Sequence, residues 1–333
     1  MTRAASGSAI YRPDLGIQVM EFYEGQTMGF IGLELMPIFP TALNAASYPI
    51  IPKEALLKLV DTSRAPRGRY NRDDWEYERG IFATVEQGYE EPVDDEERAL
   101  FDQEAQGMSG FIATKRAWGK IMRNQEYRIA NKLFNASNFT AHAVSTEWDT
   151  SGTATPISDV NDGKLAFRSQ CGMLPDALVI SYTTFVNLKY VDEIVDRLKY
   201  TFPGIDLNRM NSEQLAAVFD VPRVLIGGSV YDSAKKGQTT VVADIWSYEY
   251  AALVKIGNGQ DLAQPCVGRT FLWTADSPQN PVVEQYRDDG IRSDVYRVRH
   301  HVDEAFIQSK DSSGTVVSNI AAACVYLFSN IHT

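Results

Sequence analysis

Residues 64–134 constrain the fold more than any other part of the chain. A polar hairpin striped with charge runs directly into one very long helical pattern. The hairpin, residues 53–93, carries Arg64, Arg67, Arg69 and Arg72, then Asp73, Asp74, Glu76 and Glu78. It closes at the acidic run Glu90-Glu91-Pro92-Val93-Asp94-Asp95-Glu96-Glu97. The helix is predicted from about Glu96 to Phe134. Asp94 or Asp95 caps it, and Glu96 and Glu97 place negative charge in its first turn, where the helix dipole favours it. Apolar residues at 101, 105, 108 and 112, then 118, 122, 129 and 133, mark one helical face. Unbroken, such a helix would be about 60 Å long. Gly107, Gly110 and Gly119 predict a bend or break in it. A compact enzyme has little use for this shape, whereas a subunit that reaches over its neighbours in an assembly does.

The flanking segments fit that picture. Residues 1–30 read as an extended arm, which a neighbouring subunit would tie down. Pro37, Pro40, Pro49 and Pro52 exclude a helix over 31–60. Arg64-Ala65-Pro66-Arg67-Gly68 is a turn signal, and the alternation over Ile81–Glu86 suits a strand with one covered face. Residues 135–157 read as a polar linker or surface loop. Beyond it the pattern changes. Helices over Ser158–Cys171, Thr183–Lys199 and after Ser212 alternate with apolar strands at Ala177–Ile180 and Val224–Ile226. Further strands are predicted at Val241–Trp246 and Ala251–Ile256. This is a helix-covered sheet, α/β or α+β. The strands Asp294–Ile307 and Ala321–Phe328 are expected to return to the long helix.

Charge narrows the function. The chain of 333 residues has a formal net charge of −11, which repels phosphate, so sequence-reading nucleic-acid binding is not expected. No apolar run approaches the ~20 residues of a membrane span. The first ten residues lack the pattern of a secretory signal. The three cysteines, Cys171, Cys266 and Cys324, have no C-x-x-C spacing and read as reduced, buried thiols.

Chemical motifs are missing. There is no phosphate-binding loop, zinc-protease motif or nucleophile elbow. Gly227-Gly228-Ser229 reads as a plain strand-to-loop turn. His300 and His301 point to opposite faces of a strand and so do not share a metal; one is read as surface and one as half-buried. The acidic run Glu90–Glu97 lacks calcium-loop spacing. No catalytic residue, cofactor or metal is expected. Basic and acidic segments on one arm suit docking onto copies of the same chain.

The order of parts resembles the major capsid proteins of tailed bacteriophages. The resemblance is carried by Arg64–Asn71, Tyr89–Arg98, Asn131–Phe139, Asp196–Tyr200 and Val224–Ala234 followed by Asp244-Ile245-Trp246, and spans about residues 10–330. It implies the α+β Hong Kong 97-type fold. Residues 1–45 would be the N-terminal arm and first peripheral strand, and 46–94 the extended E-loop. Residues 95–154 would be the peripheral domain with its spine helix, 155–280 the axial domain and 281–333 the peripheral strands. Copies would form pentamers and hexamers of an icosahedral shell around double-stranded DNA. Contacts between subunits are expected at Arg64, Arg67, Arg69, Arg72, Asp73, Asp74, Glu76, Glu78, Glu90, Glu91, Asp94 and Asp95. A separate scaffolding protein, a portal and a decoration protein are the expected partners, with the protein made in the host cytoplasm and housed in the virion. Lys53 and Lys58 lie near the E-loop, but nothing else specifies a cross-link. The alternatives are an encapsulin-like shell, a tail or portal ring, and a soluble α/β enzyme using the Gly227-Gly228 turn.

Overall fold

The computed structural model describes residues 10–12, 14–15, 29–50, 57–72, 77–105, 108–201, 210–262, 264–310, 316–318 and 320–332. The first elements are a short strand, β1 (Ile10–Tyr11), a single helical turn, α1 (Gly32–Leu35), and strands β2 (Ile38–Thr41) and β3 (Ala45–Ile50). After an irregular loop, 57–72, come β4 (Glu78–Ala83) and β5 (Val85–Asp94), then helices α2 (Asp95–Ala105) and α3 (Ser109–Leu133). A helix-rich stretch follows: β6 (Ala141–Ala143), α4 (Pro156–Cys171), β7 (Ala177–Ser181), α5 (Tyr182–Leu188), α6 (Asp192–Thr201), α7 (Ser212–Phe219) and β8 (Arg223–Gly227). A ribbon of β9 (Val230–Asp232) and β10 (Val242–Asp244) leads to β11 (Ala251–Val254). The chain closes through β12 (Gly268–Trp273), β13 (Val282–Asp288), β14 (Ser293–Phe306), β15 (Ser309–Lys310), β16 (Val316–Ser318), α8 (Ile320–Ala323) and β17 (Val325–Ser329).

Two sheets organise these pieces. In the six-stranded sheet the long strand β14 pairs with β5, β13 and β12, and β1 and β2 extend it. The five-stranded sheet has the order β6-β17-β11-β7-β8. Its strands bury both faces. Leu178, Ile180 and Leu253 meet Phe167, Leu188, Ile194 and Leu215 of the covering helices. Ala177, Val179, Ala252 and Val254 meet the opposite layer. That two-sided burial explains why β7 reads as an unbroken apolar run. Local signals set the helix ends. Asn211 and Gln214 form a reciprocal capping box on α7, and Gly172 in the left-handed region (φ 74°) stops α4.

The helix α3 belongs to both cores. Its first half packs Ala117, Trp118 and Ile121 under Val298 and Val283 of the six-stranded sheet. Its second half packs Ile129, Ala130 and Leu133 against the five-stranded sheet. Arg128 forks onto Glu304 of β14 at 2.7 and 3.0 Å.

Several expectations are corrected. The helical pattern from 96 to 134 breaks into α2 and α3, as the glycines predict, but Gly110 lies inside α3, where a side chain would strike Tyr296. The helix expected over 183–199 is α5 plus α6. The segment 135–157 is no simple surface loop, since Trp148 is wholly buried and donates to Asp159 at 2.9 Å. Both β14 and β17 return to α3 as expected, but β17 does so from the five-stranded sheet, where it pairs with β11 and β6. β12, within the span expected to be axial, pairs with β14.

Candidate assembly surfaces

Loop 57–72 is the most exposed stretch of the described chain. Leu59 is fully exposed, and Tyr70 is 71% exposed. The predicted tip turn is present: Gly68 N–H donates to Ala65 O at 2.9 Å, with Arg67 at φ 68°. Asp61 braces the limbs, accepting Ser63 N–H at 2.8 Å and, through its carbonyl, Asn71 Nδ2 at 2.7 Å. Arg64 lies over the Tyr70 ring at 4.7 Å. Among the described residues, Arg64, Arg67, Arg69 and Arg72 meet no carboxylate of their own chain. Asp73, Asp74 and Glu76 lie outside the described residues, as do Lys53 and most of the arm 1–30. Glu78 is half-buried at the start of β4.

The acidic run behaves differently. Glu90 accepts from Arg297 at 2.8 Å, and Glu91 pairs with Arg116 at 2.9 Å and Lys120 at 3.0 Å. Asp94 caps α2 by accepting Glu96 N–H at 2.9 Å. Asp95 takes both arms of Arg287 at 2.6 Å, and those bonds hold its carboxyl below the usual carboxylate range. Glu90, Glu91, Asp94 and Asp95 are thus committed within the chain, where they fasten the β5–α2 corner onto β13, β14 and α3. The contacts with neighbouring copies expected of them would be made in addition to these bonds.

The junction of arm, long helix and second sheet centres on Glu126. Its buried carboxylate accepts Ile31 N–H and Gly32 N–H, both at 2.8 Å, and Trp246 Nε1–H at 2.7 Å. Burial pushes its pKa up, while the bonds from Ile31, Trp246 and Gly32 oppose that rise. The Gly227-Gly228 pair has a packing role beside it. A side chain at Gly227 would strike the Trp246 ring, and Gly228 N–H donates to Gly29 O at 3.2 Å where the two backbones cross. Nothing in that turn resembles a nucleophile elbow.

His300 is wholly buried rather than on the surface, and His301 is half-buried. Their rings bond Asn280 and Thr84 respectively, on opposite faces of β14. All three cysteines are buried and none is in a disulfide.

No family model matches the chain. A curated relative, the major capsid protein of Burkholderia phage BcepMu, is 28% identical over 282 residues, covering 80% of this chain and 86% of the relative. A solved phage-related protein from Bordetella bronchiseptica RB50 is 20% identical with a TM-score of 0.68, covering 97% of this chain and 98% of its own. The capsid protein of Helicobacter pylori bacteriophage KHP30 is 12% identical with a TM-score of 0.52, and 87% of each chain is covered. The chain has the Hong Kong 97-type capsid fold. The likeness read from the sequence is borne out. α3 lies in the span expected for the spine helix, and loop 57–72 in the span expected for the extended loop. Sequence reasoning missed Glu126 and the ion pairs of β14. A signal for Glu126 did exist: it falls on the apolar stripe of the spine helix, between Met122 and Ile129.

Proposed function

We propose that this chain is the major head protein of a tailed double-stranded DNA phage, assembling as pentamers and hexamers into an icosahedral shell. The match to the BcepMu major capsid protein carries this reading, because it runs through most of both chains rather than through one motif. The capsid fold supports it. In this reading the role is structural. Arg64, Arg67, Arg69 and Arg72 meet carboxylates of neighbouring copies, since their own described chain supplies none. The six-stranded sheet with the spine helix is the peripheral domain, and the five-stranded sheet with its helices is the axial domain. The net charge of −11 keeps packaged DNA from adhering to the shell. A separate scaffolding protein and a portal complete the particle, which is built in the host cytoplasm.

Electron microscopy of particles containing this chain, with their content read by absorbance at nucleic-acid and protein wavelengths, tests the reading. Closed icosahedral shells holding DNA are expected. Shells holding protein cargo would replace it with an encapsulin-like role, and rings or tubes with a tail or portal role.

A further inference from the structure

Glu126 stands where three parts of the chain meet, and one of its oxygens serves two of them. Oε1 accepts both Ile31 N–H, at the start of α1, and Trp246 Nε1–H, between β10 and β11. Oε2 accepts Gly32 N–H. The approach is close: a side chain on Gly32 would sit 2.5 Å from Oε2, and one on Gly29 would sit 2.6 Å from the Gly228 carbonyl carbon. Among the described residues no cation pairs with Glu126, and the charged group bearing on it is Glu34 of α1. A buried carboxylate without a counter-ion is costly, and an apolar side chain would fill the same space without that cost. Its three hydrogen bonds are what this residue adds.

We propose that Glu126 is a positioning residue for the amino-terminal segment. It fixes where Gly29–Leu35 crosses between the spine helix and the five-stranded sheet, and it makes that placement depend on Trp246. The consequence for assembly rests on the capsid reading: the arm that emerges from this crossing is aimed by it. The coupling itself does not rest on that reading. The Trp246 bond also fixes the orientation of the carboxyl group, so its loss lets the carboxyl turn away from Ile31 N–H and outweighs the relief of sharing one acceptor oxygen; such coupling is reciprocal.

Residue-resolved hydrogen exchange on the purified full chain tests this with two variants. Glu126→Gln keeps the size but turns an NH₂ toward an N–H donor. The Ile31 and Gly32 amides are expected to exchange at least about tenfold faster, as loss of a charge-assisted bond implies. The amides of β7, remote from the junction, stay as in the wild type. Trp246→Phe leaves both backbone bonds in place, and yet Ile31 is expected to exchange several-fold faster. This second variant also reads the coupling if Glu126→Gln does not fold. Unchanged Ile31 and Gly32 in Glu126→Gln would overturn the proposal. So would equal acceleration of β7, which marks a merely structural residue, or an unmoved Ile31 in Trp246→Phe. If the exchange results hold but microscopy shows no shell, the positioning role stands and the head-protein reading fails.

Discussion

The sharpest residue-level consequence concerns His300. Its ring is fully buried, meets Trp118 edge-on at 5.6 Å and bonds Asn280 through Nδ1 at 3.1 Å. Burial pushes its pKa down from 6.5 to about 4. The unfolded chain takes up a proton as pH falls through its ordinary value, and the folded chain refuses it until much lower pH. The stability contributed by neutral His300 is therefore complete above about pH 6.5 and is lost progressively toward about pH 4. Between about pH 7 and pH 5 the loss amounts to roughly 2 kcal/mol. Denaturant unfolding at these two pH values, for the wild type and His300→Gln, measures it. The wild type is expected to lose about 2 kcal/mol more than the variant on acidification. An equal loss in both would show that the ring does not stay neutral in the folded chain.

Elements separate by how far away their partners are. Every residue of loop 57–72 is exposed, so Arg67→Glu with Arg69→Glu is expected to leave subunit stability within about 0.5 kcal/mol and yet impair assembly. Thermal unfolding and particle yield measure the two effects, and normal shells from the double variant would refute a docking role for these arginines. The spine helix is the opposite case. Ile129→Ala is expected to cost about 2–5 kcal/mol, since the side chain is buried against the five-stranded sheet. α3 is shared by both cores, so tryptophan fluorescence and far-ultraviolet dichroism should shift together; a shift in only one would show that the sheets unfold separately. The same distinction explains what the sequence could tell. The turn at Gly68, the cap at Asp94, the break next to Gly107 and the apolar strand β7 are local and were legible. The partners of Glu90 and Asp95 lie 207 and 192 residues away, and β17 pairs with β11 across many intervening residues. No periodicity encodes such contacts. The internal bonds of Glu90 and Asp95 were therefore not legible in the acidic run itself.

At the scale of the whole molecule two electrostatic effects oppose each other. Every copy carries a net charge of −11, so copies repel at long range. The guanidinium groups of loop 57–72, in the proposed assembly, attract carboxylates at contact range. Salt treats the two unequally. The screening length is about 30 Å at 0.01 M salt, comparable to a subunit, and about 8 Å at 0.15 M. Repulsion between whole subunits is thus largely removed over that range, whereas pairs partly buried at a contact are screened much less. Assembly followed by light scattering is expected to speed up from about 0.01 M to about 0.15 M salt. Near 1 M, where the screening length falls to about 3 Å, exposed pairs also weaken and the rate should drop. The Arg67→Glu, Arg69→Glu double variant should show a smaller high-salt decline, because only Arg64 and Arg72 are left to form such pairs. A wild-type rate that falls steadily from the lowest salt would mean that contact pairs outweigh the repulsion of the whole chain, and the balance argued from net charge would be wrong.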